Sequence, residues 1–421
     1  MTRPQKIVLL SMPQEGMFVE WTQPSCYRPS GVKYMPLGLL SLATNLPSEG
    51  FEVKVFDPPS EGWDIKETIS RIEAEEPDIL GLSVVTQRVY AMKEILKRTS
   101  VPYTIVGGPH ATHYPKQILE MGADAVFVGS LADLEFKNAV KTRPKGIIHC
   151  KTTLEEIKFP KRDFLNIETY FPKDFVFFKA NKRLPMSTSN GCPHRCVFCN
   201  VQNKQLELKP ASVVVDEMEY LKSIGANSIH ILDDNFNIIE TQVHKILDEM
   251  ERRNFSIDEW SGRGQARMSE ELARRLVSNK FKRLHVGIEA LSDDILSFFN
   301  KSVRVKDIYQ FCHTANKYNI DLIAYFILGT PLDTEEYWES LPKKIKELRI
   351  KHPYFNILFP APDTGYYSQL LSNGTYSKDH WAEYMENPTP NYKIPYPYGK
   401  EWYEKTVNYA NGLIKEFENK N

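Results

Sequence analysis

Residues 191–200 read GCPHRCVFCN, with thiols at Cys192, Cys196 and Cys199. An apolar run, Leu184–Ser187, precedes this stretch, and an amphipathic one, Ser212–Ile224, follows it. The cysteines are therefore expected on the loop that leaves the carboxyl end of a strand. Thiolates suit soft metals and iron–sulfur clusters, and spacings of four and three let one loop wrap a compact group. Most protein-held clusters take four thiolates, so three nearby would leave one iron open to another ligand. Structural zinc is the other reading, with a fourth ligand from His194 or from a distant cysteine.

Working outward, strand candidates recur at Ser228–Leu232, Trp260–Gly264, Arg283–Ile288, Leu322–Leu328 and Tyr354–Leu358. Helical periodicity falls between them at Thr241–Arg252, Ser269–Ser278, Asp293–Phe299, Val305–Tyr318 and Thr334–Leu348. With Leu184–Ser187 this makes six units of a partial (β/α)6 barrel over 184–375, whose chemistry belongs at the carboxyl ends of its strands. Residues 1–140 alternate in the same way. Strands are expected at Lys6–Leu10, Phe51–Phe56, Ile79–Val85, Tyr103–Val106 and Ala125–Val128, and helices at Leu37–Leu46, Ile65–Glu75, Ala91–Arg98 and Lys116–Glu120. That pattern predicts a Rossmann-like, doubly wound parallel sheet. The fold class is thus α/β throughout. Residues 141–183 hold Pro144, Pro160 and Pro172 without clear periodicity and read as a linker. The tail, 376–421, is rich in Tyr, Trp and Pro and reads as a short cap over the barrel mouth.

The whole chain has 421 residues, room for two large domains. Its net charge of −1 argues against binding nucleic acid through bulk electrostatics, and Lys179–Arg183 (KANKR) reads as solvated loop. The N-terminus, MTRPQKIVLLSMPQEG, does not read as a signal peptide, and no stretch approaches the ~18 apolar residues of a membrane helix. A cytoplasmic protein with no membrane partner is expected. Cys26, Cys150 and Cys312 are scattered, so the cysteine pattern suggests metal rather than disulfides.

The triplet matches CxxxCxΦC, with Phe198 at the aromatic position, just after the first strand of a six-unit barrel. In this it resembles the radical S-adenosylmethionine (SAM) enzymes. The resemblance implies that Cys192, Cys196 and Cys199 hold a [4Fe–4S] cluster whose open iron chelates SAM, and that Phe198 lies near the adenine. It extends to other strand ends. Asp233-Asp234-Asn235-Phe236 ends the second strand, where Asp233 and Asp234 would meet the amino group of SAM or serve as an ordinary turn. Arg263 and Arg267 follow the third and would hold the carboxylate. Glu289, in Gly287-Ile288-Glu289, would hydrogen-bond a ribose or a substrate. Gly329 would offer its backbone to adenine.

The first 140 residues resemble the cobalamin-binding domain that precedes the barrel in one branch of that family. The matching stretches are MPLGLL at Met35–Leu40, Phe56-Asp57, PDILGLSVVT at Pro77–Thr86, VGGPH at Val106–His110 and GADAVFVG at Gly122–Gly129. By this resemblance Ser83 and Thr86 meet the nucleotide tail. Gly107 and Gly108 admit the corrinoid closely. Pro109, His110 and Gly129 line its pocket, and Val85, Thr86 or Gln87 neighbours the lower face of cobalt. The DxHxxG motif of cobalamin mutases is absent, and no histidine precedes His110. His113 reads as surface, and an HxxH metal site there is not expected. Gly129-Ser130-Leu131 stands where many relatives carry Gly-Glu-Gly-Glu.

The resemblance covers about residues 5–375. It implies a cobalamin-dependent radical SAM C-methyltransferase acting on an unactivated sp3 carbon, with a [4Fe–4S] cluster, SAM and methylcobalamin as cofactors. A ferredoxin- or flavodoxin-type reductant would supply electrons under anaerobic conditions. A residue of a peptide or protein, glutamine in particular, is the expected substrate, as in the enzymes that C-methylate methyl-coenzyme M reductase. The alternatives are a natural-product methyltransferase, a radical cyclase or rearrangement enzyme, and a non-enzymatic zinc-containing cobalamin carrier.

Overall fold

Short apolar runs bounded by turn residues become the strands of two parallel sheets. The computed structural model describes residues 3–17, 33–171, 182–201, 203–390 and 392–418; Cys26 and residues 179–181 of the basic run lie outside these. Two compact units result. One holds the described residues up to 171 with His380–Ile394, and the other holds those from 182 to 379 with those from Pro395 onward.

In the first unit the strands are β1 Gln5–Ser11, β2 Phe51–Phe56, β3 Ile79–Ser83, β4 Thr104–Gly107, β5 Ala125–Val128 and β6 Gly146–His149. Their order is β2-β1-β3-β4-β5-β6, and every pair is parallel. Helices cover both faces, which is why Ile7, Val8, Leu9 and Leu10 are all buried rather than alternating. Sheet order reverses between β1 and β3, so the carboxyl ends that a ligand would use carry Ser11, Ser83 and Gly107.

This unit extends past the boundary expected at residue 140. Strand β6 pairs with β5, and Tyr170 reaches back to donate to Asp57 Oδ2 at 2.6 Å. The sequence of β6, Gly-Ile-Ile-His, sits on the sheet edge half-buried or exposed, which explains its weak apolar signal. The helix Asp133–Thr142 was likewise not expected. The tail is shared between units. Helix His380–Glu386 belongs to the first, where Trp381, Tyr384 and Tyr392 pack ring against ring.

The second unit has β7 Arg183–Met186, a small ribbon of β8 Ser189–Asn190 and β9 Glu207–Leu208, then β10 Ser228–Ile231, β11 Glu259–Gly264, β12 Phe281–Glu289, β13 Asp321–Leu328 and β14 His352–Ile357. The main sheet runs β14-β13-β12-β11-β10-β7, parallel throughout, as a partial α/β barrel. All six strands start and end within two residues of their expected places. Alternation separates two layers. Ile229, Ile231, Leu284, Val286 and Ile288 are buried on one side, while His230 and His285, from the alternate positions, meet each other at 4.8 Å between ring centroids. The last helix, Lys400–Glu418, lies along β14, where Phe417 packs on Phe355 at 6.3 Å.

Candidate active site

The cysteine loop is built to stay open. The ribbon β8–β9 ties its two ends, and Cys192 N–H donates to the Asn203 carbonyl at 3.0 Å. Gly191 sits at φ +88°, and a Cβ there would stand 2.4 Å from the Gln205 carbonyl oxygen, so only glycine fits where the chain returns. Further on, Val197 N–H donates to the Phe299 carbonyl at 3.1 Å and Asn300 donates to the Arg195 carbonyl at 2.8 Å. Phe198 meets Phe299 edge-on at 5.1 Å.

So held, Cys192, Cys196 and Cys199 line one pocket together with Phe198, His194, Asp234, Asn235, Gln265, Glu289 and Lys301. Burial pushes the Cys192 and Cys196 thiols up, and Lys301 pulls Cys196 back. Cys192, Cys196 and Cys199 share that space as free thiols. His194 Nε2 lies 3.2 Å from Gln265 Oε1. Three thiols around a shared space fit a polynuclear cluster, which spreads its ligands over several irons. Asn235 Oδ1 is buried there with no hydrogen-bond partner, an acceptor suited to the N–H groups of a bound ammonium.

The expected SAM-binding residues divide. Phe198, Asp234 and Glu289 line the pocket. Asp234 has its carboxyl pushed up by burial and drawn back by Arg263 and Lys204. Asp233 does not line it. It is buried and accepts from Thr188 N–H at 2.6 Å and from Ser189 Oγ at 2.7 Å, tying the end of β10 to the strand before the cysteine loop. Arg263 is exposed on the next strand, near enough to Asp234 to act on its charge. The Arg267 side chain is exposed, and its carbonyl accepts from Asn237 at 2.6 Å. Gly329 lies away from the cysteines. At φ +86° it lines a second, apolar recess with Tyr396, Trp402 and Tyr403.

Further along the barrel interior, His230 Nδ1 lies 2.8 Å from Ser261 Oγ and His285 Nδ1 lies 2.9 Å from Tyr325 Oη. Burial and then the charges of Arg263, Arg183 and Arg283 push His285 down to about 3. His230 is driven down by burial, by His285 and by the same arginines. Both imidazoles are therefore neutral at pH 7.

In the first unit, the expected corrinoid residues gather at one edge of the sheet. Ser83 ends β3, and Val85, exposed at 36%, leads into a single turn, Thr86–Arg88, which includes Gln87. Gly107 ends β4, and a Cβ there would meet only Phe127 Cβ, at 3.8 Å. Gly108 differs. At φ +97° its Cβ would stand 2.9 Å from the backbone of Val84, so this glycine serves the packing of two loops rather than ligand approach. Pro109 opens the short helix Pro109–His113. Gly129, at φ +143°, is crowded by Cys150, and its N–H donates to Thr112 Oγ1 at 3.1 Å. His110 is fully buried rather than at the edge. Its Nδ1 lies 3.2 Å from Thr86 Oγ1 and its Nε2 3.0 Å from Gln117 Oε1. His113, expected at the surface, is half-buried. An exposed apolar Val85 beside an open Gly107 on the switch-point edge fits a broad, flat ligand.

Asn235, Gln265 and Lys301 were not foreseen as pocket residues. Asn235 had a signal, since it adjoins Asp234 at the end of a strand. Lys301 had none. It follows the helix Asp293–Phe298, and only the path of that helix brings it back over β12.

Residues 186–345 match the model of the radical SAM superfamily, and residues 28–134 match that of the B12 binding domain. The chain is 26% identical over 395 residues to a protein of Pyrococcus horikoshii named as an uncharacterized methyltransferase, covering 86% of this chain and 84% of that one. It is 23% identical over 377 residues to the bacteriochlorophyllide d C-12(1)-methyltransferase of Chlorobaculum tepidum, covering 83% of this chain and 76% of that one. Among solved structures, the radical SAM methyltransferase TsrM of Kitasatospora setae, with cobalamin and a [4Fe–4S] cluster bound, superposes with a TM-score of 0.66 at 18% identity. That likeness covers 88% of this chain and 75% of TsrM, and shows a shared fold.

Proposed function

We propose that this chain, a radical SAM enzyme carrying a cobalamin-binding domain, transfers a methyl group to an unactivated carbon of an organic substrate. The observation that carries the proposal is the shared pocket of Cys192, Cys196 and Cys199 at the carboxyl ends of the barrel strands, in a chain with a second sheet of the B12-binding type. When bound, the cluster supplies one-electron cleavage of SAM and cobalamin supplies the methyl transfer.

The residues present suit that task. Cys192, Cys196 and Cys199 would hold the cluster, leaving one iron for SAM. Asp234 and Asn235 Oδ1 would take the amino group of SAM, and Arg263 its carboxylate. Phe198 would lie near the adenine. Arg263, like Arg267 and Gly329, lies outside the lining of this pocket, but of the three it alone stands near enough to Asp234 to act on that carboxylate's charge, and Arg267 and Gly329 carry no part here. In the first unit, Val85, Thr86 and Gly107 would face the corrinoid, with Ser83 beside them. Gln87 belongs to the same turn.

One relative is named for bacteriochlorophyllide d, and TsrM has been solved with tryptophan as substrate. A peptidyl residue, glutamine included, is the substrate that the resemblance implies, with a small molecule as the alternative. Among the described residues no helix is long and apolar enough to cross a membrane. A low-potential one-electron donor is part of the proposal.

The test is anaerobic reconstitution with iron, sulfide and hydroxocobalamin, followed by SAM and dithionite. About four iron and four sulfide per chain are expected, with 5′-deoxyadenosine detected by mass spectrometry. The Cys192→Ala, Cys196→Ala and Cys199→Ala variants should yield none. Zinc retained in place of iron after reconstitution would sink the proposal.

A further inference from the structure

We propose that Gln265 is a positioning residue: it fixes the side-chain amide of Asn235 so that the amide oxygen, and not the NH2 group, faces the amino group of SAM. The inference deepens the reading of this pocket as the SAM site and rests on it.

Three side chains of the pocket form one hydrogen-bonded line. His194 Nε2 lies 3.2 Å from Gln265 Oε1, and Asn235 Nδ2 lies 3.5 Å from the same oxygen. All three residues line the space around the cysteines. An amide oxygen only accepts, so the imidazole N–H and the Asn235 NH2 both donate to it. Gln265 thereby holds the nitrogen end of Asn235. The other end, Oδ1, is buried without a hydrogen-bond partner, a state that a protein interior rarely leaves unfilled.

Gln265 can hold Asn235 because its own backbone is clamped. Asn237, which is buried, accepts from the Gln265 N–H through Oδ1 at 2.8 Å. Its Nδ2 donates to the carbonyl oxygens of Arg267 at 2.6 Å and of Gln265 at 3.2 Å. Gly264 leaves the room for this amide, since a Cβ there would stand 2.1 Å from Asn237 Oδ1. Phe236 N–H donates to the Arg263 carbonyl at 2.8 Å and joins the same two segments. The chain after β10 and the chain after β11 are thus tied together, with Gln265 reaching from one to Asn235 on the other and to His194 on the cysteine loop.

The amino group of SAM offers N–H donors to the protein. Against Asn235 Oδ1 it gains a hydrogen bond, and against Nδ2 it would set donor against donor. The two ends of an asparagine amide are nearly alike in shape, and its last torsion is soft, so an unsupported side chain can exchange them. Gln265 removes that freedom. Neither residue moves a proton or an electron in this role.

The test uses the full chain, reconstituted anaerobically and left oxidised so that SAM is bound but not cleaved, with affinity read by equilibrium dialysis. Gln265→Leu should weaken SAM binding about tenfold, the order of one hydrogen bond to a charged group. Gln265→Glu keeps an accepting oxygen and should restore wild-type affinity or better. Asn235→Asp carries oxygen at both ends, so it should bind SAM no more weakly than wild type, and adding Gln265→Leu to it should cost less than about threefold. Variants are compared at equal iron content and equal circular dichroism, and Gln265→Met takes the place of Gln265→Leu where the latter does not load. An equal loss from Gln265→Leu in both backgrounds would overturn the proposal, as would no loss in the wild-type background or a loss in Asn235→Asp alone. A wild-type chain that binds SAM no better than the analogue lacking the amino group overturns the assignment of that group to this pocket, and the proposal with it. A wild-type chain that takes up no iron overturns the cluster reading.

Discussion

His110 Nε2 lies 3.0 Å from Gln117 Oε1 in the interior of the first unit. The other ring nitrogen faces Thr86 Oγ1 at 3.2 Å, and Gln117 donates onward to the Met385 carbonyl oxygen. A hydrogen-bonded line thus runs from the turn after β3, where the corrinoid is proposed to lie, to the tail helix His380–Glu386. His110 is tied to that turn through Thr86 and is itself fully buried.

That burial sets a pH dependence. Desolvation pushes His110 down to about 4 from an ordinary value of 6.5. Above pH 6.5 it is neutral whether the chain is folded or unfolded, and its contribution is fully present. Between 6.5 and 4 the unfolded chain binds a proton that the folded chain refuses, so stability falls with pH, by roughly 3 kcal/mol over the window. Urea midpoints should therefore drop from pH 7 to pH 5, and His110→Phe should lessen that drop. An unchanged difference between the two pH values in the variant would refute the assignment.

Gly191→Ala should cost the cluster its seat. The new Cβ would collide with the Gln205 carbonyl at 2.4 Å, and φ +88° is strained for alanine. Iron retained after reconstitution and desalting should fall well below wild type, while far-ultraviolet circular dichroism changes little. Full iron content would show that the loop tolerates the shift.

Gly108→Ala should act on the first unit. Its Cβ would press at 2.9 Å on the Val84 N and O atoms, which lead into Val85 and Thr86. Backbone cannot yield as a side-chain tip can, so a loss of about 1–3 kcal/mol in stability and weaker cobalamin binding are expected. Visible absorption of the bound corrinoid measures the second effect. Gly107→Ala, with only Phe127 Cβ at 3.8 Å, should fold normally, and any loss of cobalamin there would come from the ligand side.

Asp233→Ala should destabilise the second unit by about 1–3 kcal/mol, because it strands the buried Thr188 N–H and the Ser189 hydroxyl. Asp233→Asn keeps an acceptor and should lose less. Thermal unfolding separates the two. A residue that bound SAM directly would instead change SAM affinity with little effect on melting.

The two sheets were legible because buried parallel strands are short continuous apolar runs, and Ile79–Ser83 and Asp321–Leu328 show this well. Strand β6 was not, since an edge strand half open to solvent carries little of that signal. The cysteine loop could be read from spacing alone. The distinction between Asp233 and Asp234 could not, because adjacent residues at a strand end point in different directions, one into the protein and one into the pocket.

Composition and motif spacing by themselves determined the α/β class, the six barrel units and the three thiols that share a loop, since these follow from local periodicity and from residue chemistry. Tertiary structure alone decided which polar groups meet the thiols. Lys301 reaches Glu289 in the pocket of the thiols only because a short helix carries the chain back over β12, and Glu289 meets it there only because a bulge and a positive φ turn the strand end. Contacts between residues distant along the chain depend on paths that no local pattern encodes.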